Sequence, residues 1–338
     1  MNQLANALAA GGDTYASDDD PELVAAALPF GLKTMESLLA EAPSHAGLLL
    51  ATSSGFTQYA YAFVQGEADL VEAKDLARAT ELRARARRLY ARALRYGLRG
   101  LEARHPGFEK GLRDDALREA TLAKVTAADV PLLYWTGAAW GAAISLSKEN
   151  AELTADQGLA EALERRALVL DEGFGRGSIH DFFIAFDGGR PPSAGGSFER
   201  ARKHFERAVA LSDGKRAAPF VSLAETVSVG AQDRAEFEAL LKKALAVDPD
   251  AAPQLRLANT VAQRRASVAY KGTGRLIELR VREGSPVCQG ELIGRLDASD
   301  VQAALLVAQA AITQAAAGVR QAEANVEQAQ AEAANAEV

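Results

Sequence analysis

Near Val261 the chain changes its sequence grammar, and no other feature limits its possible folds as tightly. Upstream, one helical pattern follows another, separated by short turns and a few Gly/Pro loops. Downstream come a strand-turn-strand pattern from Ser267 to Leu296 and an Ala/Gln-rich heptad running to Val338. Apolar period is what separates helix from strand and from coiled coil, so a chain that switches period twice carries at least two architectures. Its 338 residues leave room for both.

In the upstream part, Pro21 follows the acidic run Asp18-Asp19-Asp20, which suits a helix N-terminus with Pro in its first turn. Three later helices share one spacing: Ala86, Tyr90 and Ala93; Ala201, Phe205 and Ala208; Phe237, Leu241 and Ala244. Small-large-small at i, i+4, i+7 lets two helices approach closely, and a late Pro (Pro43, Pro249) ends the element. This is tetratricopeptide grammar, though degenerate. Two blocks break it. Gly173 to Gly196 is an insertion, and Pro131 to Ser145 sets Tyr134, Trp135 and Trp140 among Gly and Ala and reads as a buried helix. The expected fold is mainly α: an N-terminal segment (1–20), then a degenerate tetratricopeptide-like α-solenoid over 21–258.

The tail predicts something else. Lys271 to Arg275 reads as a turn, Leu276 to Arg282 alternates as a strand, Glu283 to Val287 turns again, and Glu291 to Leu296 is a second strand. Asp297-Ala298-Ser299-Asp300 offers cap chemistry for a helix. Leu305, Ile312, Val319 and Val326 then hold one seam of a heptad, and alanines most of the other. A small two-stranded β unit within 259–298 and a long coiled-coil helix over 299–338 are therefore expected.

Composition narrows the function. A net charge of −7 argues against a nucleic-acid partner. Arginines do cluster at 78, 83, 85, 87, 88, 92, 95 and 99; spread over every helix face, they read as a solvated surface rather than a docking patch for an acidic partner or phospholipid. The single cysteine, Cys288, cannot form an intramolecular disulfide. No run reaches the ~20 apolar residues needed to span a bilayer, and residues 1–20 lack a basic-then-apolar leader. Catalytic motifs are not found, and the histidines 45, 105, 180 and 204 lie far apart. His180-Asp181 is the one tempting pair, but neighbours on a helix diverge, so a structural histidine beside a loop is the better reading. No cofactor or metal is expected. Tyr134, Trp135, Trp140, Phe182 and Phe183 sit in the blocks that break the repeat and are the candidate lining of an apolar ligand cleft, with His180, Asp181 and Arg190 shaping the adjoining loop.

Several words are recognisable. Ile179-His180-Asp181-Phe182-Phe183, Gly188-Gly189-Arg190-Pro191, Glu199-Arg200-Ala201-Arg202, His204-Phe205, Lys215-Arg216-Ala217 and Ser222-Leu223-Ala224-Glu225 resemble the T-component family of TRAP transporters, periplasmic tetratricopeptide-like lipoproteins. The resemblance covers about residues 1–265. It implies a non-enzymatic accessory subunit, a homotrimer with an apolar cleft in each copy, docking a periplasmic solute-binding receptor and holding a small organic ligand. It also implies a place at the inner membrane through a lipid anchor that this chain does not carry, with the start expected to be truncated. The tail resembles the membrane-fusion adaptors of efflux pumps through Lys271 to Leu276, Val281 to Val287, Gln289-Gly290 and Leu296-Asp297, and that resemblance implies a β half barrel-sandwich of lipoyl type over 259–298 followed by one arm of a coiled-coil hairpin. The lysine that lipoyl and biotinyl carriers modify has no counterpart in it. An alternative function is thus an efflux adaptor with an added helical docking module, and a third is a cytosolic scaffold. Ala262-Gln263-Arg264-Arg265-Ala266 resembles both families and marks the expected join.

Overall fold

A computed structural model describes residues 12–147, 149–271, 276–279 and 294–296. The helices are α1 (Gly12–Ala16), α2 (Pro21–Glu41), α3 (Ala46–Tyr59), α4 (Gly66–Val71), α5 (Leu76–Arg104), α6 (Phe108–Arg113), α7 (Arg118–Ala123) and α8 (Val130–Ser145). They continue with α9 (Ala151–Ala155), α10 (Gln157–Leu170), α11 (Ser178–Gly188), α12 (Phe198–Leu211), α13 (Ala218–Leu223), α14 (Arg234–Leu245) and α15 (Arg256–Lys271). Two π-helical stretches, Ala60–Gln65 and Ala224–Ser228, extend α3 and α13.

Local chemistry sets the starts. The Asp20 carboxylate accepts the Leu23 N–H at 2.9 Å with Pro21 behind it, and Asp75, Ser197 and Asp233 cap α5, α12 and α14 in the same way. Each such cap is worth about 1 kcal/mol. The long helices then pack in series: α3 on α5, α5 on α8, α8 on α10, α11 on α12, and α13 to α15 on one another. Ala86, Tyr90 and Ala93 of α5 have no exposed surface, nor have Ala201 and Ala208 of α12.

Two large cores result. The first joins α5, α6, α8, α10 and the front of α11 through Leu101, Leu133, Trp140, Leu163, Ile179 and Phe183. The second gathers α12 to α15 through Ala208, Phe220, Val227, Leu241 and Ala266. Helix α11 serves both, with Phe183 in the first core and its neighbour Ile184 in the second.

The expected join falls inside α15, and α15 belongs to the helical unit. Ala262 and Ala266 are buried in the second core. Asn259 accepts the Ala217 N–H at 3.0 Å and donates to the Lys215 carbonyl at 2.9 Å. Gln263 donates to the Val247 carbonyl at 2.6 Å, closing the end of α14. Arg264 reaches Glu22 at 2.7 Å, and Arg265 meets Glu225 at 2.8 Å.

The chain divides after Lys271 into two units. In the second, the described residues are β1 (Leu276–Leu279) and β2 (Gly294–Leu296), paired antiparallel with an irregular register between Leu276 and Glu278. The expected half barrel-sandwich over 259–298 is overturned. Residues 259–271 of that span are helix, and the described strands amount to one ribbon of four and three residues with no second layer among the described residues. Period-2 alternation specifies a strand, but not the sheet layers a sandwich needs. Mainly α is the architecture that fits. The heptad over 299–338, Cys288 and the turn at 283–287 lie outside the described residues, as do residues 1–11.

Candidate functional site

Helices α8, α10 and α11 meet where the repeat pattern breaks. Helix α8 begins at a tight anchor: Asp129, almost without exposed surface, closes a capping box with Thr126 and receives Arg104 at 2.7 Å and His105 at 3.1 Å. Hydrogen bonds and those cations hold its carboxyl below the usual range in spite of burial. Two glycines then let neighbours in. A Cβ on Gly141 would stand 2.8 Å from the Phe182 ring, and one on Gly137 would stand 2.6 Å from Glu164 Oε1. The glycines of α8 are therefore the notch that receives α10 and α11.

The candidate aromatics divide by depth. Trp140 and Phe183 are fully buried in the first core. Tyr134, Trp135 and Phe182 are half-buried. Tyr134 meets Trp135 edge-on at 4.9 Å and Phe174 at 5.2 Å. Phe182 stacks on Phe186 at 5.3 Å and meets Phe183 edge-on at 5.3 Å. Offset and edge contacts of this kind contribute about 0.5–1.5 kcal/mol each beyond area burial.

His180 and Asp181 diverge, as adjacent helical residues do. Asp181 pairs with Arg216 at 2.5 Å. Burial pushes the Asp181 carboxyl up, and Arg216 opposes that shift. His180 Nδ1 lies 2.8 Å from His204 Nδ1 of α12, and His180 Nε2 lies 3.2 Å from Glu172 Oε1. Glu172 is also gripped by both arms of Arg207 at 2.7 Å, which draws its carboxyl down to about 2. An ionised Glu172 only accepts, so His180 donates from Nε2 and accepts at Nδ1, and His204 supplies the Nδ1–H. Burial holds both imidazoles down, His204 to about 4, so the pair is neutral at pH 7. Arg190 ties the loop down: it donates to the Phe186 and Ala194 carbonyls, and its guanidinium lies 3.6 Å from the centre of the Phe186 ring.

Sequence reasoning missed Glu164. It is fully buried with no side-chain partner for either carboxyl oxygen among the described residues, and burial raises its pKa well above the usual value against a backbone N–H of Ala138 that lowers it. Its signal was available, since Ala160, Leu163 and Ala167 put Glu164 on the apolar stripe of α10. His204, Glu172 and Arg216 had no such signal, because their partners stand far off along the chain. What the site offers chemically is a half-buried aromatic wall with paired charges behind it. Among the described residues, no cluster of three or more His, Cys, Asp or Glu side chains could hold a metal ion.

Two comparisons bear on this arrangement. The family model described as TRAP transporter T-component matches residues 17–273, from just after α1 through the end of α15. An uncharacterized protein of Treponema pallidum (strain Nichols) is 32% identical over 254 residues, covering 75% of this chain and 79% of the relative.

Proposed function

The chain belongs to the TRAP transporter T-component family, and on that premise we propose a non-enzymatic subunit that docks a solute-binding receptor and shelters a small, largely apolar organic ligand. A periplasmic or membrane-associated location goes with the family. The observation that carries the ligand reading is the half-buried aromatic wall of Tyr134, Trp135 and Phe182, at the point where α8 and α11 leave the repeat. Trp140 and Phe183 support that wall from the core, while His180, Asp181 and Arg190 fix the loop and helix that carry it. Three copies form the working assembly. The efflux-adaptor alternative is not retained, because it rests on the tail fold corrected above.

The test uses the full chain and the purified solute-binding receptor of the same TRAP system on a biosensor surface. Saturable binding, with a trimer mass in light scattering, is the expected result. Native mass spectrometry then reads any co-purifying organic molecule, and Trp135→Ala with Phe182→Ala should reduce its occupancy about tenfold while leaving receptor binding intact. No receptor binding, or a monomer throughout, would overturn the docking reading. Unchanged occupancy in the variant would overturn the ligand reading.

A further inference from the structure

Helix α5 holds a line of arginines that, among the described residues, meets a single acid. Arg85, Arg88, Arg92, Arg95 and Arg99 follow one another in steps of three and four. At 100° per residue they fall within an arc of about 80° and run for about 21 Å along the helix. Their arc lies opposite the buried side chains Ala86, Tyr90, Ala93 and Gly97. The remaining arginines of this part of the helix behave differently. Arg78 pairs with Glu81 at 3.1 Å, Arg83 with Asp69 and Glu72, and Arg87 with Glu149 at 3.3 Å. On the line, the one acid in reach among the described residues is Glu36, which is 3.4 Å from Arg92 and already bound by Lys33 and Tyr96. Arg88 and Arg95 are exposed and have no ion pair, hydrogen bond or ring contact among the described residues. A protein of net charge −7 has thus kept one row of cations unneutralised.

The row is also ordered. The guanidinium of Arg85 lies 5.8 Å from the Tyr59 ring centre, that of Arg92 5.4 Å from Phe56, and that of Arg99 5.3 Å from Tyr96. Arg85 also donates to the Tyr59 hydroxyl at 3.3 Å and Arg99 to the Pro43 carbonyl at 2.9 Å, so these guanidinium groups are held in place and lose less freedom when they bind an anion with the donors that remain. Between these three stand two arginines, Arg88 and Arg95, with no partner among the described residues. Arg85, Arg88, Arg92 and Arg95 stand with Leu89 and Ala91 around an open space of about 500 Å³ on this one helix face.

We propose that this arginine row is a docking face for an acidic helix of a partner protein, whose carboxylates repeat at the same three-and-four spacing. Two observations choose a helix over a lipid surface. The charges form a line one helix wide, which is the footprint of another helix lying along it. Arginine-bearing membrane faces combine cations with inserted apolar side chains, and no large apolar side chain is exposed between Arg85 and Arg99. Such a face gives its partner a fast, salt-sensitive encounter and a fixed register rather than a large affinity.

The experiment takes the full chain and a labelled synthetic helical peptide with glutamates at i, i+3, i+7, i+10 and i+14, beside a peptide of the same composition with the glutamates spread around the helix. Fluorescence anisotropy is read at 50 and 300 mM NaCl. The patterned peptide is expected to bind at least about fivefold more tightly than its scramble and to lose about tenfold at high salt, as exposed charges screened within a Debye length should. R88E/R95E should weaken it by about tenfold or more. R87E, an off-row control, should stay within about twofold. Circular dichroism separates lost binding from lost folding. Equal binding of the scramble, or unchanged binding by R88E/R95E, would overturn the proposal. So would capture of the wild type, but not R88E/R95E, by 3:1 phosphatidylcholine–phosphatidylglycerol vesicles with no binding of the peptide, since the face would then be a lipid surface. A fall in light-scattering mass in R88E/R95E would also overturn it, by assigning the row to contacts between copies of this chain.

Discussion

At the α11 junction, charge is answered from within the chain: Asp181 by Arg216, Glu172 by Arg207 and His180, Asp187 by Arg200. On the outer face of α5, five arginines in a row have a single shared acid. The first lies in a block that breaks the small-large-small spacing and the second in a helix that keeps it, and only the second leaves charge for something outside the protein. A satisfied cluster holds structure in place, and its loss should appear as stability. An unsatisfied row should be nearly silent in stability and appear in binding.

The largest effect belongs to the junction. Phe183 is fully buried in the first core, one residue from Ile184 in the second, and stacks on His204 at 4.8 Å. Phe183→Ala is expected to cost about 3–5 kcal/mol by chemical denaturation, the usual range for a core phenylalanine. A loss below about 1 kcal/mol would mean that α11 does not join the two cores, and the contrast with α5 would fall.

The next effect has the opposite sign. Glu164 faces the Gly137 notch with no side-chain partner for either oxygen among the described residues, and burial raises its pKa in spite of the Ala138 N–H. An acid whose native pKa is raised favours folding fully below its unfolded value near 4.5, and that contribution is lost as pH rises through the native pKa. Glu164→Met, of similar length and without the charge, should therefore stabilise the protein by about 2–3 kcal/mol at pH 7 and by much less at pH 4. An equal gain at both pH values would mean that the carboxyl titrates normally. Loss of the bound organic molecule together with gained stability would show that Glu164 is kept for the ligand.

Much of this was legible in the residues and some was not, for reasons that differ by element. The start of α2 follows from Asp20-Pro21, because a cap acts within one turn. The words around His180 and Arg190 located the loop, but not what each side chain would touch. His180 meets His204 across 24 positions, and no local pattern encodes that pairing. The tail misled for a physical reason. Alternation from Leu276 fixed attention on strands, while Asn259, Gln263 and Arg265 were already committed to helical neighbours. Eight arginines around a helix looked like solvation until distances separated those with acid partners from those without.

The histidine pair sharpens the comparison by a smaller amount. Both imidazoles have lowered pKa values, His204 to about 4. A base whose native pKa is depressed contributes stability that is present above its unfolded value near 6.5 and lost as pH falls toward the native value. Stability should thus fall by about 1–2 kcal/mol between pH 7 and pH 5 through this pair. Glu164 and Asp181, with raised pKa values, work the other way in the same window. The measurement is therefore a difference between the wild type and His204→Phe, each unfolded in denaturant at both pH values. A difference that does not change with pH would remove the pair from the set of groups that the fold keeps neutral.

R88E/R95E should give the smallest effect, and its smallness is what the comparison requires. Neither side chain is buried, and neither has a partner among the described residues to lose. Reversing both places carboxylates one turn from Arg85, Arg92 and Arg99, where like charges now face one another. Exposed i, i+3 and i, i+4 pairs contribute about 0.2–0.5 kcal/mol each, and that relief offsets any loss of helix propensity. The variant should match the wild type within about 0.5 kcal/mol at low salt, with a slight gain that 300 mM NaCl removes. A loss above about 1 kcal/mol would show that the row supports the fold, as the junction does, and would leave α5 with no charge to spare for a partner.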